Sequence, residues 1–160
     1  MFLYHGSDVI VEHPVLLPER RALDFGPGFY LTSSKSQAEK WAKIVRLRRK
    51  SNSAILNTYE FPDSKINKLN VLNFESANAE WLEFVCSNRR CSGAYENYDL
   101  VIGPVANDST LPVIDNYMDG VYTAEEAVKR LLPQNLTDQY SFLTQEALSL
   151  LTFIRKEEIL

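Results

Sequence analysis

Two short segments near the N-terminus combine residue types that could bind a small ligand. In Tyr4-His5-Gly6-Ser7, an imidazole stands beside a glycine and a hydroxyl. Histidine can donate and accept hydrogen bonds, and glycine lets a ligand approach the main chain closely. In Gly28-Phe29-Tyr30-Leu31-Thr32, a turn leads into a β-rich run with an aromatic ring. Taken alone, His5 is more often structural and Tyr30 is more often a core residue.

A metal centre is not expected, because its usual ligands are too few. The chain has two cysteines, Cys86 and Cys91, and two histidines, His5 and His13. Structural zinc takes about four ligands at close spacing. The N-terminus lacks the basic and apolar regions of a secretory leader. We therefore expect free thiols, no metal and a reducing, cytoplasmic compartment.

The charge and hydropathy disfavour two classes of partner. The 160 residues carry a formal net charge of −4, whereas broad nucleic-acid binding depends on Lys and Arg at phosphates. The basic run Arg46-Leu47-Arg48-Arg49-Lys50 is expected to close a helix, where cations complement the helix dipole. No apolar run approaches the roughly 18 residues of a membrane span, so no membrane partner is expected.

Strand and helix signals alternate irregularly around these segments. Hydrophobic patterning predicts strands at residues 2–5, 29–32, 54–61, 71–74, 100–102 and, as the last strand, 140–143. Helices are predicted after Ser34, at about 78–88, at 113–118, after Thr123 and after Thr144. Without a regular βαβ rhythm, this order predicts a single α+β domain over residues 1–160.

Capping signals and apolar faces define these helices further. Ser34 with Gln37, and Thr123 with Glu126, have the spacing of a capping box. Several apolar residues are expected to face the core: Ala38, Trp41, Ala42 and Val45 in the first helix; Trp81, Phe84 and Val85 in the second; Val128, Leu131 and Leu132 after Thr123; Ala147, Leu148, Leu151 and Ile154 in the last.

The segments Tyr4-His5-Gly6-Ser7 and Gly28-Phe29-Tyr30-Leu31-Thr32 together resemble the first two motifs of the His-Tyr-Glu class of ADP-ribosyltransferases. This class is the diphtheria-toxin and poly-ADP-ribose-polymerase lineage. The chain is more closely similar to a bacterial branch with the patterns Tyr-His-Gly-Ser, Leu-Asp-Phe-Gly-x-Gly-Phe-Tyr, Glu-Trp-Leu-x-Phe-Val and Tyr-Asp-x-Val-Ile-Gly-Pro-Val-Ala. These patterns match residues 4–7, 23–30, 80–85 and 98–106. The resemblance covers nearly the whole chain and implies the split β-sandwich of that superfamily, two small sheets with flanking helices.

The resemblance also implies an NAD site. His5 would bond a ribose hydroxyl of NAD, the backbone of Gly6 would clamp the nicotinamide amide, and Tyr30 would stack on the nicotinamide ring. Clamping and stacking of this kind would hold the leaving group in position. The remaining residues of the expected NAD-binding set are Ser7, Gly28, Phe29 and, as a candidate for the pyrophosphate, Arg21.

The third motif of the class departs from its usual form. There a glutamate opens a later strand, in a pattern like Asn-Glu-Tyr-Val-Val, and its charge favours the oxocarbenium-like ribose. The matching segment is Asp138-Gln139-Tyr140-Ser141-Phe142, so Gln139 joins His5 and Tyr30 as the third expected catalytic residue. An amide can orient a ribose hydroxyl but offers no full charge. Asp138 is expected to point to the other strand face.

Three functions follow from the resemblance. The first is NAD-dependent transfer of ADP-ribose to a macromolecular acceptor such as a protein, in the manner of toxins of toxin–antitoxin or phage-defence systems. That role would add an antitoxin protein as a partner. The second is a non-catalytic module that binds NAD, ADP-ribose or only a protein, which the neutral Gln139 keeps open. The third is an NAD glycohydrolase, with water as the acceptor.

Overall fold

The computed structural model describes residues 1–17 and 23–160. Arg21 lies outside the described residues. The strands of the described chain are β1 Phe2–Ser7, β2 Phe29–Leu31, β3 Ile55–Glu60, β4 Val71–Asn73, β5 Leu100–Pro104, β6 Asp138–Phe142 and β7 Thr152–Glu158. Its α-helices are α1 Lys35–Arg49, α2 Ala79–Arg89, α3 Leu111–Met118, α4 Ala124–Leu131 and α5 Gln145–Leu148. Two short 3-10 helices cover Asp63–Lys68 and Ala94–Asn97.

The strands form two small sheets, so the predicted α+β class is confirmed. One sheet has three antiparallel strands in the order β1-β3-β7. The other has four strands in the order β2-β6-β5-β4, antiparallel except for the β4–β5 pair. The crossover between these two parallel strands contains α2, since parallel neighbours cannot be joined by a tight turn.

The two sheets meet where β1 passes the end of β2. The amide of Tyr4 donates to the carbonyl of Thr32 at 2.8 Å, and the amide of Thr32 donates back to Tyr4 at 3.0 Å. In the described residues this pair is an isolated bridge rather than part of a ladder. The sheets therefore diverge on either side of the Tyr4–Thr32 contact.

Two apolar clusters pack on the two faces of the four-stranded sheet. Successive side chains of β5 point to opposite faces of the sheet. Leu100 and Ile102 therefore face one cluster, and Val101 faces the other. The first cluster lies between the sheets and includes Leu3, Phe29, Leu31, Tyr59, Phe61 and Phe142. The second lies under α2, α3 and α4 and includes Phe25, Phe74, Trp81, Phe84, Ile114 and Leu131.

Helix α1 begins at its predicted N-cap, but its capping box is only half formed and one of its predicted core residues is exposed. The Ser34 hydroxyl accepts from the Gln37 amide at 3.3 Å, although the Ser34 amide donates to Thr32 rather than to the Gln37 side chain. Ala38 and Ala42 are buried, as expected. Trp41 was expected on the buried face, but 43% of it is exposed. The expectation was wrong because contact with β1 at Gly6 admits only small side chains.

The capping box of α4 forms as predicted, with reciprocal bonds between Thr123 and Glu126. At the end of the same helix, Leu131 is buried as expected. Leu132 was also expected in the core, but it is 52% exposed, so that prediction was wrong.

The C-terminus differs from its predicted helix. Only α5, four residues long and capped by Thr144, is helical. The chain then forms β7, in which Ile154 is 41% exposed, and β7 pairs with β3 along its length. The expectation that residues 140–143 form the last strand was also wrong. The i, i+3 spacing of Leu148 and Leu151 is overridden by long-range hydrogen bonding to β3, which sequence periodicity does not report.

The structure has no described helix that is both long and apolar enough to cross a bilayer. Residues 1–17 and 23–160 contain no group of three or more His, Cys, Asp or Glu side chains that could hold a metal ion. Both cysteines are free thiols, and Cys91 is exposed. Burial raises the pKa of the Cys86 thiol to about 11.

Replacing Gly6 should test the contact between α1 and β1. A Cβ at Gly6 would lie 2.1 Å from the Ala38 carbonyl oxygen and 2.7 Å from the Ala42 nitrogen. Gly6→Ala should lower the free energy of unfolding by about 3 kcal/mol, the upper part of the range for an overpacked core. Urea denaturation measures the change. Lys43→Ala, on the exposed side of α1, is the control and should change stability by less than about 0.5 kcal/mol. Equal effects would contradict the packing argument.

Candidate functional site

His5 is held against the strand that carries Tyr30. Its Nδ1 lies 2.7 Å from the Tyr30 carbonyl oxygen. A carbonyl can only accept, so Nδ1 carries the proton of this bond and Nε2 is the acceptor of the neutral ring. The imidazole also packs on the Phe29 ring, with centroids 4.4 Å apart. The structure therefore fixes both the tautomer and the plane of His5.

The main chain of Gly6 lies on the outer edge of β1. The Tyr4 amide and carbonyl point away from β3, toward Thr32. Backbone groups of an antiparallel strand alternate in direction, so those of Gly6, two residues further on, point to the same edge. Past Thr32 no described strand pairs with this edge. The Gly6 peptide groups can thus bind a donor and an acceptor of a ligand.

From the sequence, glycine at position 6 was expected to let a ligand approach the main chain. The structure gives a different reason for glycine at this position. The space where a Cβ would lie is taken by the backbone of α1 at Ala38 and Ala42. The glycine is thus required by helix packing on one face, while its peptide groups lie at the strand edge.

Tyr30 uses its hydroxyl to hold the loop that precedes β2. The hydroxyl donates to the Gly26 carbonyl at 2.6 Å and accepts from the Phe25 amide at 3.0 Å. The ring is half-buried and packs at the border of the cluster under the helices. Tyr30 is therefore partly structural, and its ring can serve as a platform only with the loop in place.

The same loop is fastened to the end of α2. The Asp24 carboxylate bonds Nε of Arg89 at 2.7 Å, and the Asp24 carbonyl accepts from Asn88 at 2.9 Å. Burial lowers the pKa of the Arg89 guanidinium, but the hydrogen bond and negative charge of Asp24 outweigh this effect, so the pKa is raised overall. Phe25 fills the core beside them, and Gly26 turns the chain with a φ of +87° that favours glycine.

Gln139 lies on the same sheet face as Tyr30. Tyr30 pairs with Ser141, and side chains of paired residues share a face. Gln139 is two residues from Ser141 along β6, about 7 Å, and so faces the same way. Its partner on β5 is Gly103, and the space where a Cβ of Gly103 would lie is taken by the rings of Phe25 and Phe74. The Gln139 Nε2 atom is buried and has no hydrogen-bond partner within the described chain.

Asp138 is committed to a structural role. Its carboxylate accepts from the Thr32 hydroxyl at 2.9 Å, the Ser33 amide at 2.8 Å and the Ser33 hydroxyl. These residues lie directly before α1, where a negative charge is favoured by the helix dipole. Asp138 thus cannot replace the glutamate of the third motif without breaking this junction.

Three residues of the expected NAD set are mainly structural. Phe29 is 5% exposed and belongs to the core between the sheets. Ser7 is buried, and its hydroxyl accepts from the Val9 amide at 3.4 Å. A Cβ on Gly28 would lie 2.3 Å from the Ser141 hydroxyl, so Gly28 is required by the contact with β6.

Sequence reasoning missed Asn57. This residue pairs with His5 across β1 and β3 and is fully buried. Its side chain accepts from the Val11 amide at 3.0 Å and donates to the carbonyls of Val9 and His5. Asn57 thereby fixes the chain that leaves the His5 strand. An asparagine within a β-rich run is unusual, and that was the available signal.

His5 thus contacts β2 at Tyr30, Gly6 follows it on β1, and Gln139 lies on β6 on the sheet face of Tyr30. The four residues carry an imidazole, the peptide groups of a strand edge, an aromatic ring and a buried amide. Donors and acceptors of these kinds suit hydroxyl and amide groups of a ligand, and the aromatic ring suits a planar ring. The nearest carboxylate on β6, Asp138, is engaged by Thr32 and Ser33.

Removing the charge of Asp138 should loosen this junction. Asp138→Asn removes the charge and turns one acceptor oxygen into an NH2 donor, so the Ser33 hydroxyl can no longer donate to it and the bonds from Thr32 and Ser33 lose their charge assistance. We expect a loss of about 1–3 kcal/mol in the free energy of unfolding, measured by urea denaturation. Asp119→Asn, an exposed acid beyond α3, is the control and should be neutral. A neutral Asp138→Asn would show that the observed bonds add no net stability.

Comparison with known proteins places the chain in one family. No curated protein and no solved structure matches it. A family model spans nearly its whole length. The chain belongs to the family described as "Protein of unknown function (DUF3990)", whose model matches residues 1–153.

Proposed function

We propose that this protein binds NAD at the junction of β1, β2 and β6 and transfers ADP-ribose from it to a macromolecular acceptor. The proposal includes the finer fold assignment, in which the two sheets are those of the split β-sandwich of ADP-ribosyltransferases. The separate three- and four-stranded sheets, joined at Tyr4 and Thr32, agree with that assignment.

The observation that carries the proposal is the buried, unpartnered Nε2 of Gln139. Leaving a buried donor without an acceptor costs about 1–3 kcal/mol, so such atoms are rare unless a ligand or water completes them. Gln139 occupies the third-motif position and shares a sheet face with Tyr30. A ribose hydroxyl of NAD would supply the missing acceptor.

The other three groups support the same ligand. With Nδ1 held by Tyr30, the Nε2 of His5 can accept a hydrogen bond from a ribose hydroxyl. The Gly6 peptide groups can bond both ends of a carboxamide. The ring of Tyr30, fixed through its hydroxyl to Phe25 and Gly26, can stack on the nicotinamide.

In the proposed reaction, the bond between nicotinamide nitrogen and ribose C1 breaks and its electron pair leaves with nicotinamide. The oxocarbenium-like ribose is then attacked by a nucleophilic atom of the acceptor, which loses its proton. His5 and Gln139 orient the ribose, while Gly6 and Tyr30 hold the leaving group. Gln139 has no charge to stabilise the developing cation, so the chemical step should be slower than with a carboxylate.

A second candidate function is a non-catalytic NAD- or ADP-ribose-binding module. The neutral Gln139 favours it, because binding needs hydrogen bonds while cleavage benefits from a charge. Asp138 gives no substitute, since Thr32 and Ser33 engage its carboxylate. An NAD glycohydrolase, with water as the acceptor, is the third candidate. A toxin role, an antitoxin partner and a cytoplasmic location rest on the resemblance alone and belong to the proposal.

Titration with NAD tests the proposal. We expect binding by calorimetry and release of nicotinamide, detected by chromatography. His5→Ala should weaken binding by about tenfold, because it leaves a desolvated ribose hydroxyl unpaired. His13→Ala, an exposed histidine, is the matched control and should bind like wild type. Binding without release would favour the module, release without transfer would favour the glycohydrolase, and binding of neither NAD nor ADP-ribose would reject all three.

A carboxylate at position 139 should increase cleavage. Gln139→Glu places a charge where the positive charge develops, with little change of size. Replacing a neutral contact by a charged one should add roughly 1–2 kcal/mol of transition-state stabilisation, or about ten- to thirtyfold in nicotinamide release. Gln145→Glu, at an exposed position of α5, controls for net charge and should leave the rate unchanged. Equal rates in wild type, Gln139→Glu and Gln139→Ala would remove Gln139 from the site.

A further inference from the structure

The outer face of α1 combines cations with exposed apolar side chains. Residues 35–50 contain seven cationic side chains and one acid, a net charge of +6. Since the whole chain carries −4, the rest carries −10. Of the apolar residues, Trp41 is 43%, Ile44 38% and Leu47 71% exposed. We call Trp41, Ile44, Leu47, Lys40, Lys43 and Arg48 the outer face of α1.

The helix dipole explains only part of this pattern. Arg46, Arg48 and Arg49 lie in the last turn, where cations stabilise the helix end. Lys40 and Lys43 lie in the middle of α1, where the dipole offers nothing. Within the described chain, neither lysine has a carboxylate at ion-pair distance, whereas Arg49 is paired with Asp8 at 2.7 Å.

The apolar residues of this face lie on the side of α1 that is turned away from the core. Ala38 and Ala42 fill the contact with β1, while Trp41, Ile44 and Leu47 lie exposed on the other side of α1. The Arg48 guanidinium lies 5.2 Å from the centre of the Trp41 ring, so one cation is ordered beside the largest apolar group. Trp and Arg are enriched in protein interfaces.

We propose that the outer face of α1 binds an acidic, amphipathic segment of a partner protein. Apolar side chains of that segment would cover Trp41, Ile44 and Leu47, and its carboxylates would pair with Lys40, Lys43 and Arg48. The charge complementarity follows from the +6 of residues 35–50. This proposal does not depend on NAD binding.

Two other occupants fit less well. Around the helix axis Lys40 falls between Ile44 and Leu47, so no purely apolar strip is wide enough to enter a lipid bilayer. Nucleic-acid phosphates would pair with the lysines but leave Ile44 and Leu47 exposed, and the remaining −10 would repel the backbone. A protein segment can satisfy both kinds of side chain at once.

The fluorescence of Trp41 provides the test. Trp81, the other tryptophan, is fully buried, so acrylamide quenching reports mainly on Trp41. The probe is a synthetic peptide as long as α1, with Leu at helical spacing and Glu elsewhere. We expect it to protect Trp41 from quenching, with weaker binding at high NaCl because exposed ion pairs are screened. The same peptide with Lys in place of Glu should not bind.

Matched variants separate this face from general charge effects. Lys40→Glu with Lys43→Glu should weaken peptide binding by about tenfold or more, since attraction becomes repulsion at both positions. Lys65→Glu with Lys68→Glu makes the same change of net charge on an exposed 3-10 helix and should bind like wild type. Leu47→Ser should also weaken binding, whereas Val121→Ser, which is 64% exposed in wild type, should not.

Three outcomes would overturn the proposal. One is no protection of Trp41 by the acidic peptide. Another is equal binding by the two double-lysine variants, which would indicate nonspecific charge attraction. The third is tighter binding of bulk tRNA, or of phosphatidylcholine vesicles with about one third phosphatidylserine, which would assign the face to another class of partner. Circular dichroism of each variant verifies that α1 remains folded.

Discussion

The two hydrogen bonds between Tyr4 and Thr32 join sheets that otherwise separate, and the candidate site is built around them. One residue beyond Tyr4, His5 reaches the carbonyl of Tyr30 at 2.7 Å. One residue beyond Thr32, Ser33 meets the carboxylate of Asp138 on β6. Because peptide hydrogen bonds between strands fix both distance and direction, this contact brings β1, β2 and β6 into one register. A shift at the bridge would move every group of the site.

Most polar groups near this junction are already engaged in holding the fold. The Tyr30 hydroxyl fastens the loop at Phe25 and Gly26, and Asp138 supports the start of α1. Asn57 secures the chain after β1. Against this background, five buried side-chain atoms of the described residues have no hydrogen-bond partner, and two of them, the amide nitrogen of Gln139 and the hydroxyl of Ser141, lie on the same face of β6. Buried polar atoms without partners are costly, which is why the proposal for a ligand rests on Gln139.

The motif residues could be predicted from sequence because their chemistry is local. The turn before β2, the strand positions of His5 and Tyr30, and the caps of α1 and α4 all depend on neighbouring residues. The roles of Gly6 and Gly28 could not be predicted. Each has a packing partner far away in sequence, α1 for Gly6 and β6 for Gly28. A glycine required by close packing and one required by a ligand look the same in a sequence.

The sequence by itself determined the α+β class, most of the strands and helices, and the charge excess of residues 35–50, since periodicity, capping and composition act over a few residues. Only the tertiary structure decided which faces are buried. It turned the predicted C-terminal helix into β7, because the hydrogen-bonding edge of β3 was available to pair with it. It exposed Trp41, because the close approach of α1 to Gly6 admits only Ala38 and Ala42. It also put Gln139 and Tyr30 on one face, since strand register is set by pairing across the sheet rather than along the chain.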